Sequence, residues 1–515
     1  METARTPVIA VRPAGALAAR PRLFAALAAA FPVAFRPWTG SPDGADAVLA
    51  IDDELVDGLP GFSARGAAGG ARAAIDLSAD DGVDRRLRGL PLGDRLGAPL
   101  AAEGATVLAS AQRAPVWTLA GGRHRVASAL PELGEEEPLY TLVVDRALTL
   151  VALVHFLREL TAGAGWATPP LRAAIVFDDP NLRWRSYGFI DFRRLVEHAD
   201  EHDYHASMAM IPLDAGRPHR PTADLFRRRA DRLSLVFHGN DHVKRELLGV
   251  TDAAAAMATA AQALARVERF ERLASIDVDR VMMPPHGLCS EPMTRALGAL
   301  GFDALCAIHA LPWRETLPGR PLLAGWHPAS FVGACPVIPR IPLGSEPTDI
   351  ALRAFLDQPI VLYGHHDDVA GGLEPLAAAA ARVNRMGDVR WCSLGEIARA
   401  NVAVRVRGED ALVRPFSRRV TVALPEGVST VRVEPPQDLL DDALVGWRAG
   451  GALLPLGADV PLRGGRTLDL RLHGAADVDR AAVPAPAWRP WPRLRRAATE
   501  LRDRTLPLRP AARAG

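Results

Sequence analysis

Apolar residues in the first third of the chain come in short runs. They are Val8–Val11, Val33–Phe35, Ala47–Ile51, Ala73–Leu77, Thr106–Ala109 and Val116–Leu119. Apolar runs of this length, bounded by Gly, Pro and Asp, predict buried strands. The longer apolar stretch Leu23–Phe35 reads as the helix and second strand of a β-α-β start. Thr141–Leu160 predicts a long helix that closes this segment. Strands mixed with helices predict an open α/β layer domain over residues 1–165. No phosphate-binding G-x-G-x-x-G follows any of these strands, and Gly121-Gly122 predicts only a turn.

The alternation is clearer over residues 166–401. Apolar runs at Ala173–Phe177, Leu233–Phe237, Val281–Met283, Ala304–Ile308 and Ile360–Tyr363 predict strands. Helical stretches lie between and after them at Phe192–His202, Ala253–Leu273, Pro292–Leu300 and Leu373–Met386. Repeated β-α units of this size favour a barrel or a wound sheet. From residue 402 the period drops to two, as in Val402–Val406, Val420–Leu424, Thr430–Val433 and Leu468–Leu472. That pattern predicts a small β-sandwich-like domain over 402–476. Residues 477–515 form a Pro- and Arg-rich tail, with Trp488 and Trp491 close to Arg493, Arg495 and Arg496. The expectation is a loosely packed tail with at most weak surface contact to a membrane or an acidic partner.

Composition narrows the classes. The chain has 515 residues, 49% hydrophobic and 23% charged, which is globular and not disordered. Basic and acidic residues number 61 and 60, so no global field draws in nucleic acid, and none is expected as a partner. Lys244 is the only lysine. Cys289, Cys306, Cys335 and Cys392 form no C-x-x-C pair, so buried free thiols are expected in place of a disulfide framework or a thiolate zinc site. No run reaches the roughly 20 apolar residues of a membrane span. No signal-peptide cleavage pattern follows Leu23–Phe35, so a cytoplasmic location is expected.

Chemistry concentrates where strands of the second segment end. Asp178-Asp179 follows Phe177, and two adjacent carboxylates there are costly unless paired or holding a cation. One can ligate a metal while the other acts as a base. His238 and His242 follow the next strand at a spacing that, on a helical turn, puts two imidazoles on one metal. Met283-Pro284-Pro285-His286-Gly287 predicts a fixed loop whose backbone N–H groups face a pocket. A fourth strand runs into Gly364-His365-His366-Asp367.

Taken in order, these motifs resemble the polysaccharide deacetylase family, the family 4 carbohydrate esterases with the NodB-homology domain. The resemblance covers roughly residues 171–400. Val176-Phe177-Asp178-Asp179 is similar to the family's first motif and His238…His242 to its second. Pro284-Pro285-His286-Gly287 corresponds to the third, and Leu362–His365 to the last. The resemblance implies a central distorted (β/α) barrel between the N-terminal α/β domain and the sandwich-like domain. It implies Asp178 as general base and Asp179, His238 and His242 as ligands of a divalent metal. Zinc suits that set best, with cobalt, nickel or manganese as alternatives. His286 and Gly287 would form the oxyanion loop. Either His365 or His366 would be the general acid, and His365, the first after its strand, is preferred. Met283 stands where the family carries an arginine beside the base, and Trp313 or Trp326 would serve part of an aromatic motif.

The expected function is metal-dependent hydrolysis, deacetylating an N- or O-acetylated carbohydrate or a small acylated substrate. Two rivals remain at this level. One is a catalytically inactive barrel that binds carbohydrate or a partner. The other is a metal-dependent amidase acting on a non-sugar substrate.

Overall fold

The computed structural model describes residues 6–66, 72–134, 146–162, 166–308, 327–332, 334–435, 444–449, 451–461, 467–474 and 478–506. Trp313, Trp326, the expected helix start Thr141–Asp145 and the expected boundaries at 165 and 476 lie outside these residues. The chain divides into two compact units. One comprises Met1–Ala167, Arg314–His327 and Glu346–Gln358, and the other holds the remainder.

The first unit is built on a nine-stranded sheet. Its strands are β1 (Val8–Arg12), β2 (Ala34–Pro37), β3 (Ala47–Ile51), β4 (Gly61–Ala64), β5 (Arg72–Leu77), β6 (Pro91–Arg95), β7 (Thr106–Ala111), β8 (Ala114–Ala120) and β9 (Arg123–Val126). The order is β2-β1-β3-β4-β9-β8-β7-β5-β6. Pairing is parallel from β2 to β9 and antiparallel from β9 to β6. Only half of this sheet therefore has the α/β character read from the sequence. The second half is antiparallel, with β7, β8 and β9 joined by short turns such as Gln112-Arg113 and no crossover helix. Helix α1 (Pro21–Ala30) connects β1 to β2, and α2 (Ala147–Thr161) packs on β4, β6 and β9. Phe62 and Phe156 meet there with ring centroids 6.0 Å apart.

The second unit carries a ten-stranded sheet. Its strands begin with β10 (Leu171–Asp178), which a short hairpin of β11 (Ser186–Tyr187) and β12 (Ile190–Asp191) follows. Then come β13 (Ala206–Met210), β14 (Leu233–His238), β15 (Asp279–Met283), β16 (Ala304–Ala307), β17 (Ser330–Val332), β18 (Cys335–Pro339), β19 (Ile341–Pro342), β20 (Ile360–Gly364) and β21 (Val389–Trp391). The path is β17-β18-β16-β15-β14-β13-β10-β20-β19, with β21 also on β10. All pairs are parallel except β17–β18. The path has two ends, so among the described residues the sheet does not close into the expected barrel. The helices in chain order are α3 (Phe192–His202), α4 (Arg220–Arg228), α5 (Ala253–Ala274), α6 (Glu291–Ala299), α7 (Pro347–Phe355), α8 (Glu374–Asn384), α9 (Leu394–Arg399) and α10 (Pro490–Thr505). Helix α7 belongs to the first unit although its neighbours in sequence, β19 and β20, belong to the second. Asp191, Asp252, Ser290 and Ser393 start α3, α5, α6 and α9 by accepting backbone N–H groups. The strands read as near-continuous apolar runs because the sheet is buried; Ala173–Phe177 and Leu235–Phe237 are fully covered. All four cysteines are free and buried.

The period-two segment forms two four-stranded sheets. One pairs β22 (Val402–Arg407), β23 (Asp410–Pro415), β25 (Thr430–Val433) and β28 (Asp459–Pro461). The other pairs β24 (Arg419–Ala423), β29 (Thr467–Gly474), β26 (Leu444–Ala449) and β27 (Ala452–Pro455). Val413, Val431, Val420, Trp447 and Leu470 share one apolar core between them. The last described segment corrects the expectation of a loose tail. Residues 490–505 are helical, with Pro490 in the first turn, where a missing N–H is harmless.

Candidate metal centre

Parallel pairing brings the C-terminal ends of β10, β14, β15, β18 and β20 to one edge of the sheet, the edge where α/β folds place their chemistry. Asp178 ends β10 and is 3% exposed; Asp179 follows it. His238 ends β14 and is 1% exposed, and His242 lies four residues on. Phe177 pairs with Gly364, so the next positions, Asp178 and His365, face the same side of adjacent strands.

His242 reaches His238 by a different route from the expected helical turn. Gly239 takes φ 65°, which breaks any helix at once. A side chain there would press on Glu246 Oε2 and Pro285 Cγ, both 2.6 Å from the Cβ position. The loop is gathered by the half-buried Glu246 carboxylate, which accepts the N–H of Asn240 (3.0 Å), Asp241 and His242 (3.0 Å). Burial pushes the Glu246 carboxyl up to about 7 despite those three donors. The two imidazole rings end 4.9 Å apart.

His238 Nδ1 lies 2.9 Å from the Met283 carbonyl, which can only accept, so that nitrogen carries the hydrogen and Nε2 keeps its lone pair. Both remaining ring nitrogens converge on one oxygen. Asp179 Oδ1 is 3.2 Å from His242 Nε2 and 3.8 Å from His238 Nε2. That oxygen is buried and makes no hydrogen bond. One ligand atom from each of the three residues lies within 4.8 Å of the others. Burial lowers the pKa of both histidines, which keeps the imidazoles neutral. Burial alone would raise Asp179; its coupling to His238 and His242, together with the nearby Arg496 guanidinium, brings it below the ordinary carboxylate value. Two neutral imidazoles and one unsatisfied carboxylate oxygen fit a divalent ion. Asp179, His242 and His286 also take positive φ of 81°, 55° and 61°. Non-glycine residues held there cost of order 1–3 kcal/mol each and cluster at functional sites.

Arg340, directly after β18, is the residue that sequence reasoning missed. It is 1% exposed, and its Nη1 donates to both oxygens of Asp178 at 2.9 Å. Nη2 donates to the Pro284 carbonyl at 3.3 Å, and the guanidinium lies 4.3 Å over the Tyr363 ring. Burial would raise Asp178, but the Arg340 guanidinium more than offsets it, so its pKa lies below the ordinary carboxylate range. An arginine thus sits beside Asp178 even though position 283 is methionine. The available signal was its place: another strand-end charge after the apolar run Cys335–Ile338.

The remaining candidates separate. His365 is exposed at the edge, whereas His366 is buried against Tyr187 and Phe189, with Asp503 Oδ1 3.7 Å from its Nε2. His286 is exposed, its ring 5.9 Å from that of His242. The Gly287 N–H is already donated to the Pro284 carbonyl at 2.9 Å. Gly287 serves the turn instead, since at φ 76° any Cβ would run into Ile308.

Helix α10 closes one side of the centre. Arg496 pairs with Asp214 at 2.6 Å and donates to the Asp179 carbonyl at 3.2 Å and to the Tyr187 hydroxyl oxygen at 3.1 Å. Glu500 accepts from Arg183 at 2.9 Å, and Asp503 accepts from the Tyr187 hydroxyl at 3.0 Å. Arg495 Nη2 stands 3.2 Å from His242 Nδ1.

No family model and no curated protein matches this chain. Among solved structures it is similar to the carbohydrate deacetylase Agd3, with TM-score 0.46 and 11% identity over 90% of this chain and 98% of that one. A family 4 carbohydrate esterase from Streptomyces lividans aligns at TM-score 0.24 and 14% identity, over 42% and 88%. A CE4-family pseudoenzyme from Bacillus anthracis aligns at TM-score 0.28 and 12% identity, over 45% and 67%. These values describe a distant, fold-level relationship and carry no argument about activity.

Proposed function

We propose that this chain is a metal-dependent hydrolase that removes acetyl groups from an acetylated carbohydrate. The observation that carries the reading is the Asp179 carboxylate oxygen, buried without a hydrogen bond and faced by two imidazole nitrogens. Asp179, His238 and His242 would hold the ion, zinc being the best match to two nitrogens and an oxygen. When bound, such an ion supplies Lewis acidity that lowers the pKa of water and polarises an acyl carbonyl. Asp178, ionised and fixed by both bonds from Arg340, takes the proton of the attacking water. The His286 backbone N–H is the loop's candidate donor to the oxyanion, a contact worth about 10²–10³ in rate. His365, directly after the strand that pairs with β10, gives a proton to the leaving nitrogen or oxygen as its bond to the acyl carbon breaks.

Arg340 bears directly on the inactive-module reading. That reading rested on the methionine at position 283 and on an aromatic motif without a clear counterpart; against the first, the base has an arginine partner directly after β18. The test is elemental analysis of untagged protein beside His242→Ala. About one divalent ion per chain, lost in the variant, together with acetate released from an N-acetylated oligosaccharide, supports the proposal. No ion after reloading with zinc or cobalt would overturn it.

A further inference from the structure

Helix α10 is amphipathic in an unusual sense: its charged face is the buried one. Arg496, Glu500 and Asp503 point inward and are consumed in the ion pairs and hydrogen bonds at the metal centre. The opposite face is apolar and exposed, with Trp491 65%, Leu494 64% and Leu501 66% open to solvent, and Trp488 just before the helix 74% open. At 100° per residue Trp491, Leu494, Ala498 and Leu501 fall within an arc of about 80°, opposite the inward charges. This is a concentration. Nine large apolar side chains stand exposed among the described residues, and four of them are these. Trp184, a fifth, lies under the guanidinium of Arg504 with 4.6 Å to the ring centroid.

The exposed charges that the helix itself carries are of one sign, although Arg502 pairs with the inward Asp503 at 2.6 Å and the exposed Asp367 carboxylate also acts on it. Arg489, Arg493 and Arg502 are exposed, while the two acidic residues of the helix are turned inward. An apolar arc carrying tryptophans, on a helix whose own exposed charges are all arginines, suits the headgroup boundary of an anionic bilayer. The 3-4 spacing of Trp491, Leu494, Ala498 and Leu501 also suits helix pairing. Pairing with a second copy, however, would set arginines against arginines.

We propose that the outer face of α10 docks this protein on an anionic lipid surface, with the inner face of the same helix holding the metal centre beside that surface. The geometry stands independently of the hydrolase reading. The test is co-sedimentation of the full chain with vesicles of phosphatidylcholine, alone or with 30% phosphatidylglycerol (an assay choice of about one lipid in three). Tryptophan emission is followed in parallel. The expected result is binding to the anionic vesicles with a blue shift, weakened by high salt. Trp491→Ser with Leu494→Ser should weaken it about tenfold or more, because two large side chains no longer enter the boundary. Both positions are exposed, so the variant should keep its circular dichroism and melting temperature; if it does not, Arg493→Glu gives a second test by charge. No binding by the wild type at low salt would overturn the proposal, as would unchanged binding by a folded variant. A dimer in light scattering that the variant loses, without vesicle binding, would overturn it in favour of self-pairing.

Discussion

Both units hold opposite charges together, the first in a half-buried cluster around Arg86 and the second around Asp178 and Asp179. In the first, Arg86 donates to both oxygens of Asp84 at 2.8 and 2.7 Å and to Asp357 at 3.2 Å. Arg158 also donates to Asp357 at 2.9 Å and lies 4.6 Å over the Phe355 ring. Burial would raise Asp84, but Arg86 outweighs it and holds the carboxyl down at about 2. This cluster closes on itself, and it ties α7 to the first unit. In the second unit Asp178 is closed in the same way by Arg340, yet its neighbour Asp179 keeps one buried oxygen unbonded. A charge set that saturates itself is scaffold. One that leaves an acceptor and two imidazole nitrogens converging is prepared for a cation.

That contrast breaks most visibly in turnover. Asp178→Asn should lower acetate release about 10²–10⁴-fold, the range of a general base, while Arg86→Gln leaves kcat unchanged. Equal turnover in Asp178→Asn and wild type would remove the base assignment.

Next in size is the stability of the pair itself. Arg340→Met strands a buried carboxylate and should cost about 3–5 kcal/mol. Combining it with Asp178→Asn should return most of that loss, since no unpaired charge then remains. Hydrogen exchange resolved along β10 measures both. A double variant as unstable as the single would mean that Arg340 acts by packing alone.

The first unit offers a pH test of the same contrast. His155 Nε2 accepts the Asp84 N–H at 3.1 Å, and burial lowers the imidazole from 6.5 to about 4. Between those values the unfolded chain takes up a proton that the folded chain refuses. Stability is therefore full above pH 6.5 and falls as pH drops towards about 4, by about 3 kcal/mol. Exchange in β8, whose Trp117 ring meets His155 at 5.3 Å, should follow that window, and His155→Phe should flatten it.

The sequence made much of this readable because many signals were local. Ala47–Ile51 is a strand at the expected bounds, and Asp178, Asp179, His238 and His242 sit in two short motifs at strand ends. What was hidden is tertiary or weakly patterned. Arg340 meets Asp178 across 162 residues, and nothing near Ile338-Pro339-Arg340 announces a partner. Strand β13, Ala206-Ser207-Met208-Ala209-Met210, has no β-branched residue, so its burial and not its propensity makes it a strand. The two prolines of Arg489-Pro490-Trp491-Pro492 read as irregular chain, though both fall where a helix begins. The H-x-x-x-H spacing was right and its geometry was not, because Gly239 and the Glu246 carboxylate build a loop.

The smallest expected effect separates the two clusters most cleanly. An ion that binds only the folded chain stabilises it by about 2.7 kcal/mol at a hundred times its dissociation constant. In the second unit that gain should appear as slower exchange at the ends of β10 and β14, where Asp179 Oδ1 and the two imidazoles would be satisfied together. His242→Ala should abolish it. In the first unit zinc should do nothing, because Asp84 and Asp357 have already given their oxygens to Arg86 and Arg158. Protection confined to β10 and β14 would mark the unbonded oxygen as the place the ion takes. Equal protection at β8 would mean zinc binds carboxylates at large, and the distinction between a closed and an open charge cluster would lose its chemical meaning.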